Sequence, residues 1–151
     1  MLYAAISLFI IFLDQLTKFY AIKMLKGNEP IIIIRNFLQL NYVENFGAAF
    51  GILQNKKVFF VIMTLVVIIG IVVYMKTNTN LTFSMKLALA MVIGGAVGNL
   101  IDRIRLGYVV DFVDVNFWGI YDFPVFNLAD SFIVIGTIIL MYLVIFNKYE
   151  N

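Results

Sequence analysis

Apolar residues run through the chain in four long stretches, Tyr3–Ile22, Val58–Met75, Leu87–Ile101 and Leu128–Phe146, with the third extendable to about 86–104. Each approaches the ~20 residues that an α-helix needs to cross a hydrocarbon layer of roughly 30 Å. Lipid offers no water to backbone N–H and C=O groups, so such a run must close its hydrogen bonds internally. Helix is therefore expected even where Ile and Val would favour a strand in water. The pattern predicts four transmembrane helices over 3–22, 58–75, 86–104 and 128–146. A cleaved signal peptide is the alternative for residues 1–22, but no basic residue precedes the apolar run. Asp14 and Lys18 also interrupt its distal part, where a small-residue cleavage site belongs.

The connections carry different patterns. Residues 23–57 hold Gly27-Asn28-Glu29-Pro30, the alternating and β-branched run Ile31 to Tyr42, and Asn45-Phe46-Gly47, which predicts a small interfacial sheet. Lys76 to Lys86 is a short polar turn between antiparallel helices. The third connection, about 105–127, mixes Asp111, Asp114 and Asp122 with Tyr108, Phe112, Phe117, Trp118 and Tyr121, a composition suited to the headgroup level.

Composition strengthens the membrane reading: 63% of the residues are hydrophobic, against roughly 45–50% in soluble domains. In a chain of 151 residues, four spans leave no room for a second soluble domain. The formal charge of +2 is small and scattered, which argues against a nucleic-acid partner. The chain has no Cys and no His, so disulfides, thiol nucleophiles, His-based triads and the usual zinc or haem ligands are unavailable, and no cofactor is expected. An even number of spans puts both termini on one side. Lys23, Lys26, Arg35, Lys56 and Lys57 in the first connection, with Arg103 and Arg105 near the third, would put those loops in the cytoplasm on the positive-inside rule alone.

Asp14 and Lys18 are four apart in span one, and pairing is the affordable way to keep either charge within a bilayer. A structural ion pair is the plain reading. Asn99 and Arg103 repeat that spacing on span three, suited to tethering backbone carbonyls or a bound polar group, while Gly94 and Gly98 form a small-xxx-small packing pattern. Asp111 ends the run Gly107-Tyr-Val-Val-Asp, and Asp130 opens the fourth span in Phe126-Asn-Leu-Ala-Asp, which puts both at one membrane face. Two carboxylates sharing a proton can perform hydrolysis without His, Cys or metal. Equally, Asn127 can be an ordinary helix cap and Asp130 a residue stabilised by the helix dipole. Asp102, Asp114 and Asp122 are alternative partners, expected to be wetted at the interface. An intramembrane peptidase, a proton- or ion-coupled transporter and a structural subunit all remain open on these residues.

The chain resembles the bacterial lipoprotein signal peptidases, the signal peptidase II family of aspartic peptidases. The resemblance rests on Asp14-Gln15-Leu16-Thr17-Lys18, Asn45-Phe46-Gly47-Ala48-Ala49-Phe50, Gly98-Asn99-Leu100-Ile101-Asp102-Arg103, Gly107-Tyr108-Val109-Val110-Asp111-Phe112 and Phe126-Asn127-Leu128-Ala129-Asp130-Ser131, in the family's order. It implies Asp111 and Asp130 as the catalytic pair. It implies Asp14, Lys18, Asn45, Gly47, Asn99, Arg103, Asn127 and Ala129 as substrate-binding or supporting positions. The implied fold is an all-α membrane protein of four transmembrane helices, with a small extracytoplasmic β-cradle at about 23–57 and a short interfacial helix. The implied reaction cleaves diacylglyceryl-modified prolipoproteins before the lipidated cysteine, by a monomer surrounded by membrane phospholipids. Both termini would be cytoplasmic and the site near the outer face, against the Lys and Arg count. Phe46 stands where the family more often has a small or hydroxyl residue.

Overall fold

The computed structural model describes residues 1–47 and 56–151. Its helices are α1 (Leu2–Leu25), α2 (Lys57–Thr77), α3 (Phe83–Arg105) and α4 (Leu128–Ile145), with strands β1 (Ile31–Ile34) and β2 (Leu38–Asn45) after α1 and β3 (Val109–Val115) before α4. All four helices are long and apolar enough to cross a membrane. α1 continues to Leu25, past the last residue of its apolar run. α3 starts at Phe83, where the Thr82 hydroxyl accepts the Met85 N–H and caps the helix. No short interfacial helix occurs among the described residues.

The helices differ in what surrounds them. α2 buries none of its residues, and Ile62, Val66, Ile69 and Val73 are all exposed, an arrangement stable only if the solvent is lipid. α3 is the central element, packed by α1, α2 and α4. Its small residues allow backbone contact: a Cβ on Gly95 would strike the Ala129 carbonyl, and one on Gly136 of α4 would lie 2.9 Å from the Ala88 carbonyl. At one end Leu81, Met85, Leu89 and Leu143 form an apolar core, closed by a bridge between Leu81 and Glu150.

At the other end stands an antiparallel sheet in the order β1-β2-β3. Its third strand comes from the α3–α4 connection, so the sheet expected within 23–57 accounts for two strands of three. Leu40 pairs with Val113 and Val43 with Asp111, so two residues of β2 oppose one of β3. Such a bulge increases the local twist. Alternation along β3 then separates two environments. Val110 and Phe112 pack with Ala21 and Leu25 at the end of α1, while Val109 and Asp111 face a pocket. The reversal from α3 into β3 passes through Gly107 at φ 90°, left-handed backbone that glycine adopts without strain.

Candidate active site

Asp111 and Asp130 arrive at one pocket from different elements, the first from β3 and the second from the first turn of α4. Asp130 belongs to a capping box. The Asn127 side-chain oxygen accepts the Asp130 N–H at 2.9 Å, and Asp130 Oδ2 accepts the Asn127 N–H at 3.2 Å. The motif satisfies two N–H groups of the helix end and places a carboxylate at the positive end of the helix dipole.

Asparagine amides connect the two carboxylates. Asn127 Nδ2 donates to Asp111 Oδ1 at 2.7 Å and to Asn99 Oδ1 at 3.1 Å. Asn99 Nδ2 donates to Asp130 Oδ1 at 2.7 Å. Asn45 Nδ2 donates to Asp111 Oδ2 at 2.9 Å, and its oxygen accepts the Gly47 N–H at 3.0 Å. Asp111 is almost wholly buried. Burial raises its carboxyl to about 7, the negative charge of Asp130 adds to the rise, and the Asn45 and Asn127 hydrogen bonds oppose it.

The pocket holds about 530 Å³. Asn45, Asn99 and Arg103 supply polar wall, and Ile133, Val134 and Ile135 of α4 supply an apolar one. Arg103 is held in place by Nη2 donating to the Gly47 carbonyl at 3.3 Å and by the Phe60 ring, 4.9 Å from its guanidinium carbon. A pocket with one apolar wall and two carboxylates joined by amides suits hydrolysis of a substrate that is part lipid.

Residues 6–146 match the family model for signal peptidase (SPase) II. The lipoprotein signal peptidase of Caldanaerobacter subterraneus subsp. tengcongensis is 54% identical over 91% of this chain and 92% of its own length. That of Clostridium novyi is 44% identical over 89% and 91%. A bacterial membrane enzyme solved by the in meso method superposes with a TM-score of 0.85 at 37% identity, covering 99% of this chain and 92% of that one. The chain belongs to the signal peptidase II family.

The residues of the signal peptidase II motifs fall into two groups. Asn45, Gly47, Asn99, Arg103, Asp111 and Asp130 line the pocket. Asp14, Lys18, Asn127 and Ala129 lie behind it and are buried. Lys18 Nζ contacts Asp14 Oδ2 at 2.9 Å, Asp102 Oδ2 at 3.0 Å and Asn99 Oδ1 at 2.8 Å. Asp14 Oδ1 accepts the Ala129 N–H at 3.0 Å, tying α1 to the start of α4. Gly98 is more than a packing residue, because its missing side chain gives Asp14 its space: a Cβ there would lie 2.5 Å from Asp14 Oδ2.

One expectation changes. Asp102 is not wetted at the interface: it is buried, accepts from Val110 N at 3.1 Å and Gln15 Nε2 at 3.0 Å, and anchors the strand that carries Asp111. Gln15 was not singled out in the sequence, and its place one residue after Asp14 was the available signal. Ala129 is sealed against Gly95 and Gly98, behind the pocket. Asn127 is spent on internal partners. Asp114 pairs with Gln39 and Asp122 with Asn116, both apart from the pocket. Ala48, Ala49 and Phe50 lie outside the described residues.

Proposed function

We propose that this chain is an aspartic endopeptidase that removes signal peptides from diacylglyceryl-modified prolipoproteins by cleaving before the lipidated cysteine, with Asp111 and Asp130 as its catalytic pair. The observation that carries this reading is the meeting of two carboxylates, linked through asparagine amides, in a pocket with an apolar α4 wall. One carboxylate takes a proton from water while the other donates a hydrogen bond to the scissile carbonyl, and the roles reverse as the tetrahedral diol collapses. The amides hold both groups in place. Asn45 and Arg103 on the polar wall would take the extended substrate backbone, whose amides would otherwise go unsatisfied beside hydrocarbon, with Asn99 supporting Asp130. Acyl chains that stay in the bilayer fix the depth of the cysteine and turn a free search into a positioned encounter.

The same reading puts both termini in the cytoplasm and the pocket near the outer face of a bacterial cell membrane. The Lys and Arg near the sheet end of the molecule weaken as an inside signal once paired: Lys26 meets Glu44 at 2.9 Å and Arg103 belongs to the pocket. The remaining basic residues suit contact with anionic phospholipid headgroups. The same reading takes the monomer as the working unit. The test is incubation of purified protein in one detergent with a diacylglyceryl-modified precursor and with its unlipidated form, read by mass. Release of the signal peptide from the lipidated form, at far higher kcat/KM, is expected. Equal kcat/KM for the two would overturn membrane-anchored selection, and no cleavage of either would overturn the peptidase reading. A reporter fused after Asn151 that lies outside the cell would overturn the topology.

A further inference from the structure

Asn99 has an amide whose two ends do opposite things. Its oxygen lies between two donors, Lys18 Nζ at 2.8 Å and Asn127 Nδ2 at 3.1 Å. An ammonium has three N–H groups and no acceptor, and those of Lys18 are taken up by Asp14, Asp102 and Asn99. Rotating the Asn99 amide by half a turn would set NH₂ against NH₃⁺ in a buried site, so its oxygen must face Lys18. Its nitrogen must then face Asp130, where it donates to Oδ1 at 2.7 Å.

We propose that Lys18 is a positioning residue for the aspartate pair: by holding Asn99 with its N–H toward Asp130, it makes Asp130 the ionised member and leaves the shared proton on Asp111. The inference rests on the catalytic reading of these two aspartates given above. Both Asp130 oxygens accept hydrogen bonds, one from Asn99 and one from the Asn127 backbone at the start of α4. Donors and a helix N-terminus both favour a carboxylate. Asp111 lies on a strand, and its two oxygens accept from the side-chain amides of Asn45 and of Asn127, the N-cap of α4; among the described residues it takes no backbone N–H, unlike Asp130 in the first turn of α4. Its upward shift to about 7 fits the proton residing there. The charged groups around the pair are Arg103 from α3 and, beyond Asn99, Lys18 and Asp14 from α1 and Asp102 from α3. Asp130 is then the member that takes a proton from water, and Asp111 the one that donates to the scissile carbonyl. After that transfer the water oxygen is bonded to the carbonyl carbon and keeps one proton, its other proton is on Asp130, and the Asp111 proton is on the former carbonyl oxygen, whose π bond to carbon has broken.

Asn99→Asp tests the direction of the amide while keeping an oxygen acceptor for Lys18, so a purely structural role would leave it active. Asn99→Leu removes the donor without adding charge and keeps Lys18 paired with both aspartates. The double variant Asp14→Asn/Lys18→Met frees the Asn99 amide and leaves the net charge of the cluster unchanged. Each should lower kcat on the order of tenfold to a hundredfold, the effect of losing one hydrogen bond to a charged group. KM should stay within about threefold. The acid limb of the kcat profile should move to higher pH by roughly one to two units. Folding is monitored by the melting temperature, and the readout is taken on the folded fraction. An acid limb unmoved in Asn99→Leu, or full activity in Asn99→Asp, overturns the proposal. Asp111→Asn and Asp130→Asn in the same assay separate the two levels: activity surviving there sinks the catalytic reading itself, whereas activity lost there with unmoved limbs in the Asn99 variants sinks only the role of Lys18.

Discussion

Replacing glycine by alanine at two helix positions should give opposite results. At Gly70 of α2 nothing lies within 4 Å of the added methyl, so Gly70→Ala is expected to be neutral or to stabilise by up to about 1 kcal/mol through helix propensity. At Gly98 the same methyl would lie 2.5 Å from Asp14 Oδ2 and 3.0 Å from Asp14 Cγ. Asp14 has little freedom to give way, because Lys18 and the Ala129 N–H hold its two oxygens. Overpacking costs about 1–3 kcal/mol, and a displaced charge-assisted hydrogen bond about 1.5–3 kcal/mol. Set against the propensity gain, Gly98→Ala should lose about 2–5 kcal/mol. For a chain of this size that is a fall in melting temperature of roughly 4–20 °C. The assay is thermal unfolding of both variants in the same detergent, with specific activity measured below the transition. Activity should fall in Gly98→Ala as well, since Asp14 secures the turn that carries Asp130. A Gly98→Ala protein as stable and as active as Gly70→Ala would refute the tight fit of Asp14 against α3.

Asp111→Asn and Asp130→Asn should each reduce turnover by orders of magnitude with normal expression and detergent extraction, and near-normal turnover in either would reject the pair. The shift of Asp111 also makes stability depend on pH. A carboxyl raised from 3.8 to about 7 on folding contributes stability that is full below pH ~4 and is lost as pH rises through 7. The melting temperature of the unmodified chain should therefore fall over that window by more than that of Asp111→Asn, and parallel curves would contradict the burial of Asp111. Ala129→Leu should destabilise by about 1–3 kcal/mol or more, because the residue is enclosed by α3. A variant with unchanged melting temperature and a selective rise in KM would instead place Ala129 beside the substrate.

Much of this protein is readable in its sequence because lipid simplifies the rules. Four apolar runs had to become helices, since hydrocarbon satisfies no backbone group, and the charges inside them had to find partners, as Asp14 and Lys18 do. The capping box at Asn127 and Asp130 is likewise local, needing only residues three apart. The pairing of β3 with β2 was not local. It joins residues more than sixty positions apart, and only its register, with the bulge after Leu40, turns Asp111 toward the pocket and Val110 toward α1. The same holds for Asp102. Its sequence position at the end of a span looks solvent-accessible, yet folding closes α1 and β3 over it and makes it an anchor. Gly98 reads as a helix-packing residue, but that the space it leaves is filled by the buried Asp14 carboxylate depends on how closely α1 approaches α3. The sequence by itself determined the spans, the cap and the candidate acids, because each is set by neighbours within a helix turn or by the solvent. The direction of the hydrogen bonds among Lys18, Asn99, Asn127 and the two aspartates was decided only by tertiary structure, since the Asn99 amide has no fixed polarity until donors from α1 and the start of α4 meet its oxygen and a carboxylate of α4 meets its nitrogen.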